Sequence, residues 1–71
     1  MKDITVNPQI LGGIPVFTGT RVPVQNLYDY LEAGDPLDDF LESFPDVTRE
    51  QAINVLEASK AGILREAQCV S

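Results

Sequence analysis

The chain has 71 residues, 44% of them hydrophobic, with eleven acidic and five basic side chains, no histidine and one cysteine. That is one domain with a small core, burying roughly 60% of the surface its unfolded chain would expose. The composition excludes an internal disulfide, leaves Cys69 no histidine or second cysteine with which to hold a structural metal, and, at a net charge of -6, excludes tight DNA binding through bulk charge.

With disulfides and metals set aside, so small a core is usually completed by oligomerisation, and a homodimer is expected. A lone thiol fits a reducing compartment. The opening Met1-Lys2-Asp3 has no apolar run of signal-peptide length, and no segment reaches the ~20 apolar residues of a membrane span. The expectation is a soluble, cytoplasmic protein without membrane contact. Nucleic acid is met through a few placed side chains, on a dimer or beside a basic partner, or not at all. An acidic surface does suit a basic protein partner.

In chain order, Ile4-Thr5-Val6 is a short β-prone run. Asn7 to Gly12 reads as one helical turn, with Asn7 as its cap, Pro8 in its first position and Gly12 closing it. The stretch Gly12 to Val24, GGIPVFTGTRVPV, holds three of the five glycines and two of the five prolines. Its two β-prone runs are split by Thr18-Gly19-Thr20, which predicts a tight hairpin. A hairpin so small is marginal alone and must lie against helices or a second copy.

Three helices follow, at about 24–33, 36–44 and 48–66, so that the single domain, residues 1–71, has a β element over 4–23 and a helical remainder. In the first, Val24, Leu27, Tyr28 and Leu31 share one stripe and Tyr30 falls outside it; Gly34 ends it. In the second, Asp35 is the expected cap and Leu37, Phe40, Leu41 and Phe44 repeat the spacing, with Asp38, Asp39 and Glu42 opposite and Pro45 as the stop. The third opens on Thr48-Arg49-Glu50-Gln51, the pattern of a capping box. Its inner face is predicted to be Ala52, Ile53, Leu56, Ser59 and Ile63, with Glu50, Gln51, Asn54 and Glu57 outward, a weak point at Gly62 and a mobile tail from Ala67 to Ser71. Helix, brief Pro45-Asp46-Val47 link and capped helix form the outline of a helix-turn-helix.

Gly12, Gly13, Pro15, Gly19, Thr20, Arg21, Pro23, Val24 and Gly34, then Phe44, Pro45 and Thr48 before the last helix, resemble the pattern of the domain-of-unknown-function family 433 over about Ile4 to Ala61. The resemblance implies a mostly α, three-helix, homeodomain-like or winged-helix-like fold with a short N-terminal β-hairpin, usually dimeric. It further implies an antitoxin of the VapB type, which pairs with a PIN-like ribonuclease toxin and, in pairs of this kind, represses its own operon.

Among single residues, Arg21 admits two roles: contact with a partner or phosphate, or tying loop to helices through its five donors. The glycines match neither a Walker loop nor a dinucleotide fingerprint, so they are turn residues. On the third helix, Gln51 and Asn54 could read adenine edges, with Arg49, Lys60 and Arg65 near phosphate; the competing reading is a solvated face, because Glu50 and Glu57 would repel phosphate. Asp38, Asp39 and Glu42 offer either a basic toxin a docking patch or the chain mere solubility. Val16, Phe17, Gly19, Thr20, Arg21 and Val22 mark the motif and its expected subunit contact, and Lys60, Ile63, Leu64 and Arg65 the expected toxin contact within Lys60 to Ser71.

No histidine and no nucleophile with a base beside it point to catalysis, so no catalytic, cofactor or metal residues and no small-molecule substrate are expected. The expected function is an antitoxin that neutralises its ribonuclease by occlusion, as a homodimer, with operator DNA as a second partner. A stand-alone DNA-binding regulator and a protein-interaction adaptor are the alternatives.

Overall fold

The computed structural model describes residues 2–70, and the side chains of 2–67. Two strands, β1 (Ile4–Thr5) and β2 (Val16–Phe17), form an antiparallel pair, with a 3-10 turn at Leu11–Gly13 between them. Three helices complete the fold: α1 (Val24–Glu32), α2 (Leu37–Ser43) and α3 (Arg49–Val70). The expected mostly helical domain with a short N-terminal hairpin is present, but the strands pair differently. Ile4 lies opposite Phe17 and Thr5 opposite Val16. The run after Thr18-Gly19-Thr20 adds only one bridge, Val16 to Pro23, flanked by Phe17 N–H to the Val22 carbonyl and Val24 N–H to the Pro15 carbonyl, each 3.0 Å. Proline has no N–H to extend a ladder, so pairing on that edge stops at one bridge, while the other edge of β2 carries the ladder with β1.

Between the strands, Asn7 does cap a turn: its Oδ1 accepts from the Gln9 N–H (2.9 Å), and its carbonyl accepts from the Ile10 N–H (2.8 Å). The turn ends at Ile10, and the 3-10 segment is a second turn, entered through Leu11 at φ 49°. A left-handed leucine costs roughly 1–2 kcal/mol, which the surrounding turns must offset.

Helix α1 stops at a Schellman motif. The Asp35 N–H reaches the Tyr30 carbonyl (2.9 Å) and the Gly34 N–H the Leu31 carbonyl (3.1 Å), with Gly34 at φ 87°. This claims Asp35 for the end of α1, so its side chain does not cap α2 as expected; Pro36 takes the cap position without a side-chain bond. Helix α2 buries Phe40 completely. Around it stand Phe17 from β2, Tyr30 from α1 and Phe44 from the end of α2, with centroids 5.8, 5.6 and 5.1 Å away. Tyr30, expected outside the buried stripe and exposed, is half-buried with its ring edge-on to Phe40 and Phe44. Tilted and edge-on rings at these separations add about 0.5–1.5 kcal/mol per pair beyond burial.

Helix α3 begins with the expected reciprocal cap. The Gln51 N–H donates to Thr48 Oγ1 and the Thr48 N–H to Gln51 Oε1, each 3.1 Å. The helix is rotated from the expected setting. Ala52 and Val55 are buried and Leu56 and Ser59 half-buried, whereas Ile53 and Ile63 are exposed. Two polar links set this rotation. Asn54 Nδ2 donates to the carboxylate of Asp3 (3.2 Å), itself buried, and Ser59 donates to the Val55 carbonyl (3.0 Å) while bonding Tyr28 of α1. Since the one Ser59 proton is spent on Val55, the Tyr28 hydroxyl is the donor of that pair. The helix also runs to Val70, past the expected end at 66, so the backbone expected to be a mobile tail is helical to that point; Ser71 and the Cys69 side chain lie outside what is described.

Phe40→Ala is expected to cost about 3–5 kcal/mol, most of the stability of so short a chain, read as loss of the cooperative thermal transition. Gly62→Ala meets open space within the helix and should add about 1 kcal/mol of local helix stability, read as increased helical circular dichroism.

Candidate functional site

Two features of the surface have no structural duty: the Arg21 side chain and the second half of α3. The loop that carries Arg21 is built from the Gly-Thr-Arg string. Gly19 sits at φ 81°, in the left-handed region that closes the turn. Thr20 Oγ1 donates to the Phe17 carbonyl (2.8 Å) and accepts from the Val22 N–H (3.0 Å), so one hydroxyl staples both ends. Thr18 ties the loop outward: its hydroxyl meets that of Thr5 (2.9 Å), its N–H the Asp3 carbonyl (3.0 Å), and its carbonyl accepts from Gln51 Nε2 of α3 (3.0 Å).

Arg21 takes part in none of this. It is exposed, and among the described residues its guanidinium has neither a hydrogen bond nor an ion pair. The tying role it might have played falls to Thr18, Thr20 and Gln51. A loop held by hydrogen bonds on both sides thus displays one exposed cation, with Thr18 of the same loop bonded to Gln51 in the first turn of α3. Val16 and Phe17, expected at a subunit contact, are buried inside the chain and unavailable to any partner; Val22 is half-buried. Of the two supports expected for the hairpin, helices or a second copy, these two side chains meet the first: they are buried within the chain.

The residues expected to point outward from α3 divide. Gln51 and Asn54 are half-buried and face the body, their amides bonded to Thr18 and Asp3. The side of α3 they occupy is covered by the β element, because β1 and the Thr18 loop lie against it. Arg49 is exposed but paired with Asp38 of α2, an ion pair whose side chains are both largely in water and therefore worth little. Glu50 and Glu57 do face solvent. Asp38, Asp39 and Glu42 form the expected exposed acidic face of α2. Among the described residues no group of three histidine, cysteine or carboxylate side chains is placed to hold a metal ion, and no helix is long and apolar enough to cross a membrane.

Beyond Ser59, α3 leaves the body. Every described residue from Lys60 to Ala67 is exposed, including Ile63 (67%) and Leu64 (53%). Lys60 and Arg65 stand on the same arm, Lys60 in loose range of Glu57 (4.0 Å). All four residues expected to meet a protein partner are therefore on one free helical segment. The buried Asp3–Asn54 and Tyr28–Ser59 links escaped the sequence reading, since an isolated aspartate near a terminus and a serine on a helix carry no pattern of their own.

Comparison with known proteins agrees with this architecture. A crystal structure of a DUF433 member protein from Anabaena variabilis matches with a TM-score of 0.67 and 30% sequence identity, over 93% of this chain and 68% of that one. An uncharacterised protein, y4eO, of Sinorhizobium fredii is 42% identical over 48 residues, 68% of this chain. The chain spans 22% of that relative's length. The family model described as "Protein of unknown function (DUF433)" matches residues 4–57, from β1 through the Gly-Thr-Arg loop to the last turns of α3 that touch the body, and the chain belongs to that family.

Proposed function

We propose that this domain is a cytoplasmic antitoxin that binds a PIN-like ribonuclease and silences it by occlusion. The observation that carries the reading is the α3 arm, a helix whose entire circumference is in solvent while it bears Ile63 and Leu64 between Lys60 and Arg65. Adjacent free apolar side chains on an exposed helix offer a partner a small apolar contact, flanked here by one cation on each side. A protein partner that covered it would remove this apolar surface from water. The acidic face of α2 adds long-range attraction to a basic surface such as a nuclease uses to hold RNA. Blocking that surface requires no chemistry from the antitoxin.

A second reading, operator binding, is favoured by Arg21, an exposed cation on the loop whose Thr18 bonds the first turn of α3. Arg49, the first residue of α3, exchanges Asp38 for phosphate at little cost, the pair being solvent-exposed. Gln51 and Asn54 would have to give up Thr18 and Asp3 to read bases. DNA contact is therefore proposed through phosphate, by Arg21 and Arg49, without base readout by this pair.

If the neighbouring reading frame encodes a PIN-like ribonuclease, co-expression with it should yield a stable complex and restore growth, and the lack of such a frame counts against the reading. Ile63→Glu with Leu64→Glu should abolish both while leaving the thermal midpoint unchanged; a complex that survives the double variant, or no complex with the parent chain, defeats the antitoxin reading. At the loop, Thr20→Val should cost about 1–2 kcal/mol of stability by removing both staples, whereas Arg21→Ala should change stability by less than about 0.5 kcal/mol. In a gel-shift titration with the operon's promoter DNA, Arg21→Ala should reduce a retardation that weakens with salt, and absence of any retardation by the parent chain rules out the second reading.

A further inference from the structure

Ile4, Ile14 and Val24, with the rings of Pro15, Pro23 and Tyr28, line a groove of about 560 Å³ between the β element and the start of α1. That falls within the about 300–1,000 Å³ of small-molecule sites. Gln25 is the seventh lining residue, and none of the seven is charged.

The groove is formed before anything enters it. Each apolar wall residue is either a ring or branched at Cβ, so little rotamer freedom remains to be lost. The Val24 N–H holds the Pro15 carbonyl (3.0 Å), the Val16–Pro23 bridge holds the second proline, and Ser59 engages the Tyr28 hydroxyl. A wall already ordered spares a small ligand the ordering cost that would consume its few contacts. Flat ring faces and branched aliphatics suit a planar aromatic, which brings apolar area without rotatable bonds of its own.

Polar chemistry in the groove comes down to one atom. With Tyr28 spent on Ser59, Gln25 is left, and its Nε2 donates to Asp29 Oδ1 (3.0 Å) one turn along α1. An ionised carboxylate only accepts, so this bond fixes which end of the amide is the nitrogen. Gln25 Oε1 is left as an acceptor on an exposed side chain, with no partner among the described residues. A ligand matched to it brings an N–H or O–H. The backbone of a packed helix brings none, because the N–H groups along its length are engaged within it. Asp29 and Glu32 on α1 and the net charge of -6 disfavour an anion, and the uncharged lining gives a cation no partner within the groove.

We propose that this groove is a binding site for a small, neutral, planar aromatic molecule, its ring against Pro15, Pro23 and Tyr28 and its N–H or O–H donor on Gln25 Oε1. The site is separate from the α3 arm and does not rest on the antitoxin reading.

The experiment titrates the intact, isotope-labelled chain with indole and, separately, with 1-methylindole, which has the same ring system and no donor, and follows backbone amides by NMR. Indole should shift the amides of Ile14, Val24, Gln25 and Tyr28 and saturate with a dissociation constant on the order of 1 mM, since a nine-atom probe fills only part of the groove. Gln25→Leu should reduce the preference for indole over 1-methylindole by about 2–10-fold, the value of one hydrogen bond. Ile14→Glu, which sets a charge on the rim, should abolish binding of both probes with the thermal midpoint unchanged. The proposal is overturned by the absence of a saturable shift, by shifts centred on Ile63 and Leu64, by a preference that Gln25→Leu leaves intact, or by an Ile14→Glu chain that binds like the parent. Groove amides that shift with chain concentration alone assign the groove to a second copy, and ones that shift only when a protein partner is added assign it to that partner; either result overturns it too. No ribonuclease is present in the titration, so its failure leaves the antitoxin reading standing, and a ribonuclease that does not bind leaves the groove site standing.

Discussion

The burial of Phe40 is the contact on which this fold depends. Its ring touches one aromatic from each neighbouring element: Phe17 of β2, Tyr30 of α1 and Phe44 at the end of its own helix. Neither two-residue strands nor a seven-residue helix are stable alone. What holds them is that each contributes one large ring to the same small volume. Val24, Leu27, Val47, Ala52 and Val55 complete the core around that centre. The hairpin is thus a lid whose Val16 and Phe17 are core residues.

Polar contacts then fix orientation where apolar burial alone would leave a choice. A helix can roll against an oily surface with little penalty, and α3 has aliphatic residues at Ile53, Leu56 and Ile63 that would suit a different roll. Asn54 on Asp3, Gln51 on Thr18 and Ser59 with Tyr28 allow only one. Losing the Asn54 bond leaves the buried Asp3 carboxylate short of a partner, which costs more than the bond contributes when made. The consequence reaches the surface: with Val55 inside, Ile53 turns to solvent, and the arm continues with Ile63 and Leu64 bare.

Division of labour along the Gly-Thr-Arg string follows the same logic. Gly19 supplies a backbone angle, Thr20 supplies two hydrogen bonds, and Arg21 is left over. Exposed and hydrated, its guanidinium needs no internal partner. The loop and the arm stand at opposite ends of α3, about 18 Å apart at 1.5 Å per residue between Gln51 and Ile63. One chain can therefore offer a cation to one partner and an apolar helix to another.

Local signals were legible in the sequence wherever a residue acts on its own neighbourhood. Thr48 and Gln51 announce a capping box because both partners lie within one turn, Gly34 ends α1 because only it accepts that backbone angle readily, and the spacing of Leu37, Phe40 and Leu41 gives the buried side of α2. The candidate arm residues Lys60, Ile63, Leu64 and Arg65 were also within reach, as apolar and basic side chains at helical spacing. Only the tertiary structure could decide what depends on contacts remote along the chain. That Val16 and Phe17 pair with Ile4 and Thr5 and point inward, that Tyr30 is half-buried, and that Asn54 is spent on Asp3 across 51 positions are matters of which surfaces meet. A period of 3.6 residues tells which side chains share a face; it does not tell which face the rest of the molecule will cover.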